Sequence, residues 1–200
     1  MSDMHLALHG LAIKKHGTPE GVAGLMGLEP GKAKALLSRA VADGLAVETN
    51  GAFMLTPVAR LSLDGEYSKV YAAQRASASF AAAHQRFEAV NRELKQLITE
   101  WQTIEVGGQR VPNDHSDKAH DEAIIDRLGE LHERAEAVLE ALAAGLPRLR
   151  LYAGKLLAAL EKAEDGEIEW VSGAKIESYH TVWFELHEDI LRILGRERDE

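Results

Sequence analysis

Apolar positions in this chain fall into two regimes, a short-period mixed segment at the front and long helical stripes behind it. From Met4 to Lys15, Leu6, Leu8, Leu11, Ala12 and Ile13 supply the apolar face of a first helix. His16-Gly17 ends it, and Thr18-Pro19 opens a second, the Thr as N-cap and the Pro where a missing N–H costs nothing. Val22, Leu25 and Met26 face inward on that short helix before Gly27 closes it. Leu28-Glu29-Pro30 forms a turn, and Gly31 to Asp43 repeats Ala33, Leu36, Leu37, Ala40 and Val41 at i, i+3, i+4, i+7, i+8. Lys32, Lys34, Ser38 and Arg39 occupy the opposite face. Gly44 stops the helix. Ala46–Thr49 and Ala52–Leu55 then read as a hairpin across Asn50-Gly51, a strong two-residue turn signal.

Beyond Thr56-Pro57 the pattern is helical. Residues 57–75 carry Leu61, Leu63, Tyr67, Val70 and Tyr71, interrupted by Asp64-Gly65, and read as a connection. Phe80, Phe87, Leu94 and Trp101 recur every seven residues, with Val90, Leu97 and Ile104 as a second series, predicting a helix over about 76–104. Glu105 to Lys118, with Gly107-Gly108 and Pro112, reads as a polar, mobile loop. A second helix is expected over about 119–144 (Ile124, Leu128, Leu131, Ala135, Val138, Leu142) and a third over about 147–164 (Leu149, Tyr152, Leu156, Leu157, Leu160). After Asp165-Gly166 and a short loop holding Trp170, Ile176, Tyr179, Trp183, Leu186, Ile190 and Ile193 mark a fourth over about 174–195. The charged residues from Arg196 to Glu200 are expected to fray.

The expected fold class is mainly α: a three-helix unit with a small β-hairpin, followed by an antiparallel helical bundle. The expected divisions are residues 1–60, a connecting helix over 61–75, and the bundle over 76–200. The segment TPEGVAGLMGLEPGKAKALLSRAVADGLAVETNGAFMLTPVAR, residues 18–60, resembles the winged helix-turn-helix of MarR-type regulators. That resemblance implies a DNA partner, with the second helix of the motif in the major groove and the hairpin at the backbone. By position, Lys32, Lys34, Ser38 and Arg39 would face DNA. The hairpin departs from the pattern, because Glu48-Thr49-Asn50-Gly51 holds no Lys or Arg.

Charge narrows this further. The 200 residues carry a net charge of −9, yet residues 1–60 hold six Lys/Arg against five Asp/Glu, leaving 17 against 27 for the rest. Phosphates would be repelled by the later part, so any DNA contact falls to the first. No cysteine is present, which excludes thiol chemistry and Cys-type zinc sites. No apolar run approaches about 18 residues, and the start lacks the basic and apolar stretches of a secretory signal. A cytoplasmic protein is the simplest expectation.

Nine histidines raise the question of a metal. His84, His132, His180 and His187 lie beside the apolar seams, and Asp121 or Asp189 could complete a divalent-metal set, although half-buried structural histidines fit the same positions. Asp114-His115, Asp117 and His120-Asp121 cluster where a helix begins, a place that favours acids and leaves the histidines without a role. No G-x-S-x-G, phosphate-binding glycine loop, dinucleotide fingerprint or H-E-x-x-H occurs, so activity of its own is not expected.

The leading expectation is a homodimeric winged-helix transcriptional regulator with a helical dimerisation or effector domain. The alternative is a non-DNA-binding protein-interaction or accessory module, with a phosphoenolpyruvate-utilising phosphotransfer enzyme as one candidate partner. The run SYHTVWFELHEDILRILG is similar to segments of actinobacterial proteins associated with phosphoenolpyruvate-utilising phosphotransfer enzymes, without their phosphohistidine motif. A metal- or ligand-binding helical bundle is the third reading.

Overall fold

The computed structural model describes residues 2–196, so of the tail expected to fray, residues 197–200 lie outside the described part. The chain is mainly helical with two small antiparallel hairpins, in the order α1 (Asp3–Lys14), α2 (Pro19–Met26), α3 (Pro30–Ala42), β1 (Ala46–Thr49), β2 (Ala52–Leu55), α4 (Pro57–Val70), α5 (Ala72–Ala76), α6 (Ala78–Gln102), β3 (Thr103–Val106), β4 (Gln109–Pro112), α7 (Lys118–Gly145), α8 (Arg150–Glu164), α9 (Glu169–Ser172) and α10 (Tyr179–Leu194). Two compact units result, over the described residues 2–77 with 185–196 and residues 78–184.

In the first unit the helix starts are fixed by side chains. Ser2, Thr18, Glu29 and Thr56 each accept a hydrogen bond from a backbone N–H in the first turn that follows, and Pro19, Pro30 and Pro57 sit at the first helical positions. The β1–β2 register pairs Ala46 with Leu55 and Thr49 with Ala52, across Asn50 (φ 52°) and Gly51 (φ 78°). Two successive positive φ values match the right-handed strand twist. Gly17 adds a third strand-like rung, exchanging backbone bonds of 2.9 and 3.0 Å with Phe53. Leu11, Val22, Leu25, Leu37, Phe53 and Leu63 are buried in the core. On α3 only Ala33, Leu37 and Ala40 are buried; Leu36 and Val41 are partly exposed.

Residues 61–75, expected as a connecting helix, are helical as parts of α4 and α5 and fall within the first compact unit. Helix α4 runs through Asp64-Gly65 and buries Ala59, Leu63 and Tyr67. Gly65 is exposed and not in a positive-φ conformation, so it costs only the roughly 1 kcal/mol of a solvent-facing helical glycine. The end of α10 also joins this unit rather than the later helices. Lys14 Nζ donates to Glu185 at 2.8 Å, Arg192 to Asp64 at 3.3 Å, and Arg75 Nε to the Ile193 carbonyl at 2.7 Å, a cation placed on the C-terminal end of α10.

The second unit is built on α6 and α7. Their contacts step in opposite directions, Glu100 with Arg127, Glu93 with Arg134, and Gly145 beside the Phe80 ring, so the two helices are antiparallel. Phe80, Phe87, Leu94 and Trp101 are all buried, as their seven-residue spacing requires. Helix α8 turns back against α7, with Arg150 bonded to Glu140 and Glu164 close to Gly129. The start of α10 lies on this group: the Trp183 ring stacks on Phe87 at 4.9 Å and its Nε1 donates to Asn91 at 3.0 Å.

Three boundaries differ from the sequence reading. The polar loop over 105–118 is largely a hairpin, β3–β4, turned by Gly107 (φ 60°) and Gly108 (φ 79°). The second series therefore ends in a strand, because Ile104 belongs to β3. Helix α10 starts at Tyr179, and Trp170 lies in α9.

Candidate nucleic-acid interface

All four residues assigned to DNA by the sequence lie exposed on α3. The helix is rigidly started: Glu29 accepts from Gly31 N at 3.0 Å and Lys32 N at 2.8 Å, and these backbone bonds hold its carboxyl below the usual glutamate range. That carboxylate takes the position at the helix N-terminus that an incoming phosphate would otherwise favour.

The cations are partly committed. Lys32 is ion-paired with Asp3, the first residue of α1. Arg39 Nε donates to Asp43 at 3.3 Å, one turn along the same helix. Lys34 forms no ion pair among the described residues. Across the first unit, Lys and Arg number ten and Asp and Glu number ten over residues 2–77 and 185–196. The β1–β2 hairpin adds Glu48 and no cation, and one of its residues, Val47, is an exposed apolar side chain.

Comparison with known proteins gives no match. No family model, no curated protein and no solved structure is similar to the chain.

The histidines singled out for a metal are dispersed. His84 Nε2 lies 3.1 Å from Glu88 on the next turn of α6. His132 Nδ1 lies 3.1 Å from the Tyr179 hydroxyl, and burial holds its imidazole below the ordinary histidine range. His180 is half-buried at the start of α10; His187, buried, belongs to the first unit. Of the two candidate acids, Asp121 is bonded to His115 and Asp189 to His9. Among the described residues no three His, Cys, Asp or Glu side chains are grouped so as to hold a metal ion. Nor, among them, is any helix long and apolar enough to cross a membrane.

The sequence reading missed a polar cluster inside the first unit. His9 Nδ1 is 2.8 Å from the Tyr67 hydroxyl, and its Nε2 is 2.9 Å from Asp189, with His9 and Asp189 wholly buried. Arg192 donates to the Tyr67 oxygen. The arrangement that satisfies every polar hydrogen has Tyr67 O–H donating to Nδ1 and Nε2–H donating to Asp189. Burial pushes the Tyr67 hydroxyl well above the usual phenol range, so it stays a donor. His5 lies beside this group, its ring 6.2 Å from His9, and approaches Glu66 at 3.2 Å. The available signal was the spacing of His5 and His9, four apart on one helix face with Leu8 and Leu11 around them.

Proposed function

We propose that the first unit is a winged helix-turn-helix that binds DNA, with α3 as the reading helix and β1–β2 as the wing, in a homodimeric regulator. The second unit is then its dimerisation or effector domain. The observation that carries this reading is the order α1, α2, α3, β1, β2, α4 with Lys32, Lys34, Ser38 and Arg39 together on the solvent side of α3.

The ion pairs on α3 do not oppose it. Exposed pairs of this kind contribute about 0.2–1 kcal/mol, so exchanging Asp3 or Asp43 for a phosphate costs little. What the pairs and the neutral unit do set is the strength. Three cations on α3 imply about three phosphate contacts per protomer and a log–log salt slope of about −2.7. Two α3 helices in successive major grooves would double that number.

Fluorescence-anisotropy titration against DNA from the protein's own upstream region and against unrelated DNA tests the reading at low and near-physiological salt. Lys32→Ala with Arg39→Ala should weaken binding to the upstream DNA by more than about tenfold and leave the melting temperature unchanged. Equal, wholly salt-sensitive binding to both DNAs would sink it.

One observation favours the second reading, a docking module for another protein. Val58 and Leu61 of α4 are 74% and 73% exposed, a degree unusual for aliphatic side chains on one helix face. If Val58→Ser with Leu61→Ser leaves the melting temperature unchanged but abolishes co-purification of a protein partner, that face serves docking.

A further inference from the structure

Residues 113–126 (NDHSDKAHDEAIID) build a second arrangement of histidine and aspartate, where α7 begins. Asn113 Oδ1 accepts from the His115 backbone N–H at 3.0 Å, and His115 takes a left-handed conformation (φ 59°). Its ring is set against Trp101, centroids 4.7 Å apart, with Nδ1 at 3.0 and 3.1 Å from the two Asp121 oxygens. Asp121 is buried and also accepts from Asn113 Nδ2 at 3.0 Å. A carboxylate facing Nδ1 fixes the tautomer: in the neutral imidazole the proton sits on Nδ1 and Nε2 carries the lone pair. No described protein atom engages Nε2.

His115 lines a cleft of about 260 Å³ between α7 and the segment from Ala163 to Ile168. Ile125, Ala163 and Ile168 give it an apolar wall. Glu122, Asp126 and Glu164 line it with carboxylates that form no ion pair among the described residues. Lys118 is the one cationic side chain in the lining. The side-chain polar groups thus present acceptors almost throughout, the His115 lone pair included, with one cation against four carboxylates. A lining of acceptors is satisfied by a ligand that donates. The volume lies under the roughly 300–1,000 Å³ of sites for drug-sized molecules.

We propose that this cleft binds a small organic cation, an alkylamine or alkylguanidinium. Its cationic head lies on the carboxylates and the Nε2 lone pair of His115, and its hydrocarbon chain covers Ile125, Ala163 and Ile168. The assignment stands apart from the DNA reading of α3 and survives its failure.

The test is an NMR titration of the full-length protein, following the His115 ring and the Ile125 methyl signals. The probes are n-pentylamine, 1,5-diaminopentane and agmatine, with pentanoate as the isosteric anion and Mg²⁺ and Ca²⁺ as inorganic cations. At least one amine or guanidine should saturate these signals at or below about 1 mM, and pentanoate should not move them. Asp126→Asn with Glu164→Gln, both exposed, should weaken that binding by about tenfold or more at unchanged melting temperature. Ile168→Ser should weaken n-pentylamine more than methylamine, a further probe that carries the charge without the chain. The proposal is overturned if no amine or guanidine saturates, if pentanoate shifts the same signals equally, if the double variant binds as tightly as wild type, or if only the metal ions bind.

Discussion

Two histidine–aspartate pairs in this chain share nearly the same bond and differ in everything around it. His9 and Asp189 meet at 2.9 Å with no exposed surface, and the second ring nitrogen of His9 is held by Tyr67. His115 and Asp121 meet at 3.0 Å with Asp121 buried, but the imidazole keeps part of its surface and one nitrogen at a cleft. The first imidazole has both nitrogens engaged and can only hold helices together. The second is oriented by its carboxylate and presents a lone pair outward. Identical residue types become a fastening in one place and a receptor in the other, according to what occupies the second nitrogen.

The largest effect that would break this comparison lies in the buried pair. His9→Ala removes the 2.9 Å imidazole bond from the buried Asp189 carboxylate and should cost about 3–5 kcal/mol. Urea unfolding should show it, together with faster hydrogen exchange in α1 and α4. Asp189→Asn in the His9→Ala background should recover part of the loss, since a neutral amide is less costly to bury than a carboxylate. Asp121→Ala should be milder, about 1–2 kcal/mol, because water can reach the part-exposed His115. A reversed order of these two losses would show that burial is not what separates the pairs.

A smaller, pH-dependent effect sharpens the comparison with a third histidine. His132 is bonded to neutral Tyr179, with Glu136 no nearer than 3.7 Å, and its folded-state pKa is lowered by burial. An imidazole that binds its proton less readily folded than unfolded contributes stability that is complete above about pH 6.5. That contribution is lost as pH falls from there toward the folded-state value. His132→Gln should flatten the stability profile over that window, measured by urea unfolding at successive pH values. An unchanged profile would mean another group dominates.

How much could be read from the sequence depended on whether an element buries one face. Phe80, Phe87, Leu94 and Trp101 announce α6 because each is buried at a regular spacing. The two hairpins make the contrast. Asn50-Gly51 stood between strands containing buried Ala46, Phe53 and Leu55 and was legible. Gly107-Gly108 supplies the same positive φ values, yet Ile104 and Val111 are only part-buried and Val106 is 58% exposed, so no clear alternation marked β3 and β4. The candidate interface on α3 was legible as a polar face; the pairing of Lys32 with Asp3 was not, because it joins two helices. The 115–121 cluster was visible as composition, but its cleft needs α7 brought against the end of α8. Nothing local tied residues 185–196 to the first unit either, since that tie runs through His9, Lys14, Asp64 and Arg75.

The His9–Asp189 bond joins positions 180 residues apart. At about 5–20 residues per second, a ribosome reaches Asp189 roughly 10–40 s after His9. Through that interval the nascent N-terminal unit has α1 to α4 but lacks the carboxylate for its buried imidazole. Its assembly is therefore completed only once residue 189 has been made. A message truncated between codons 43 and 188 yields every residue of α3 and still leaves the unit that carries it unfinished.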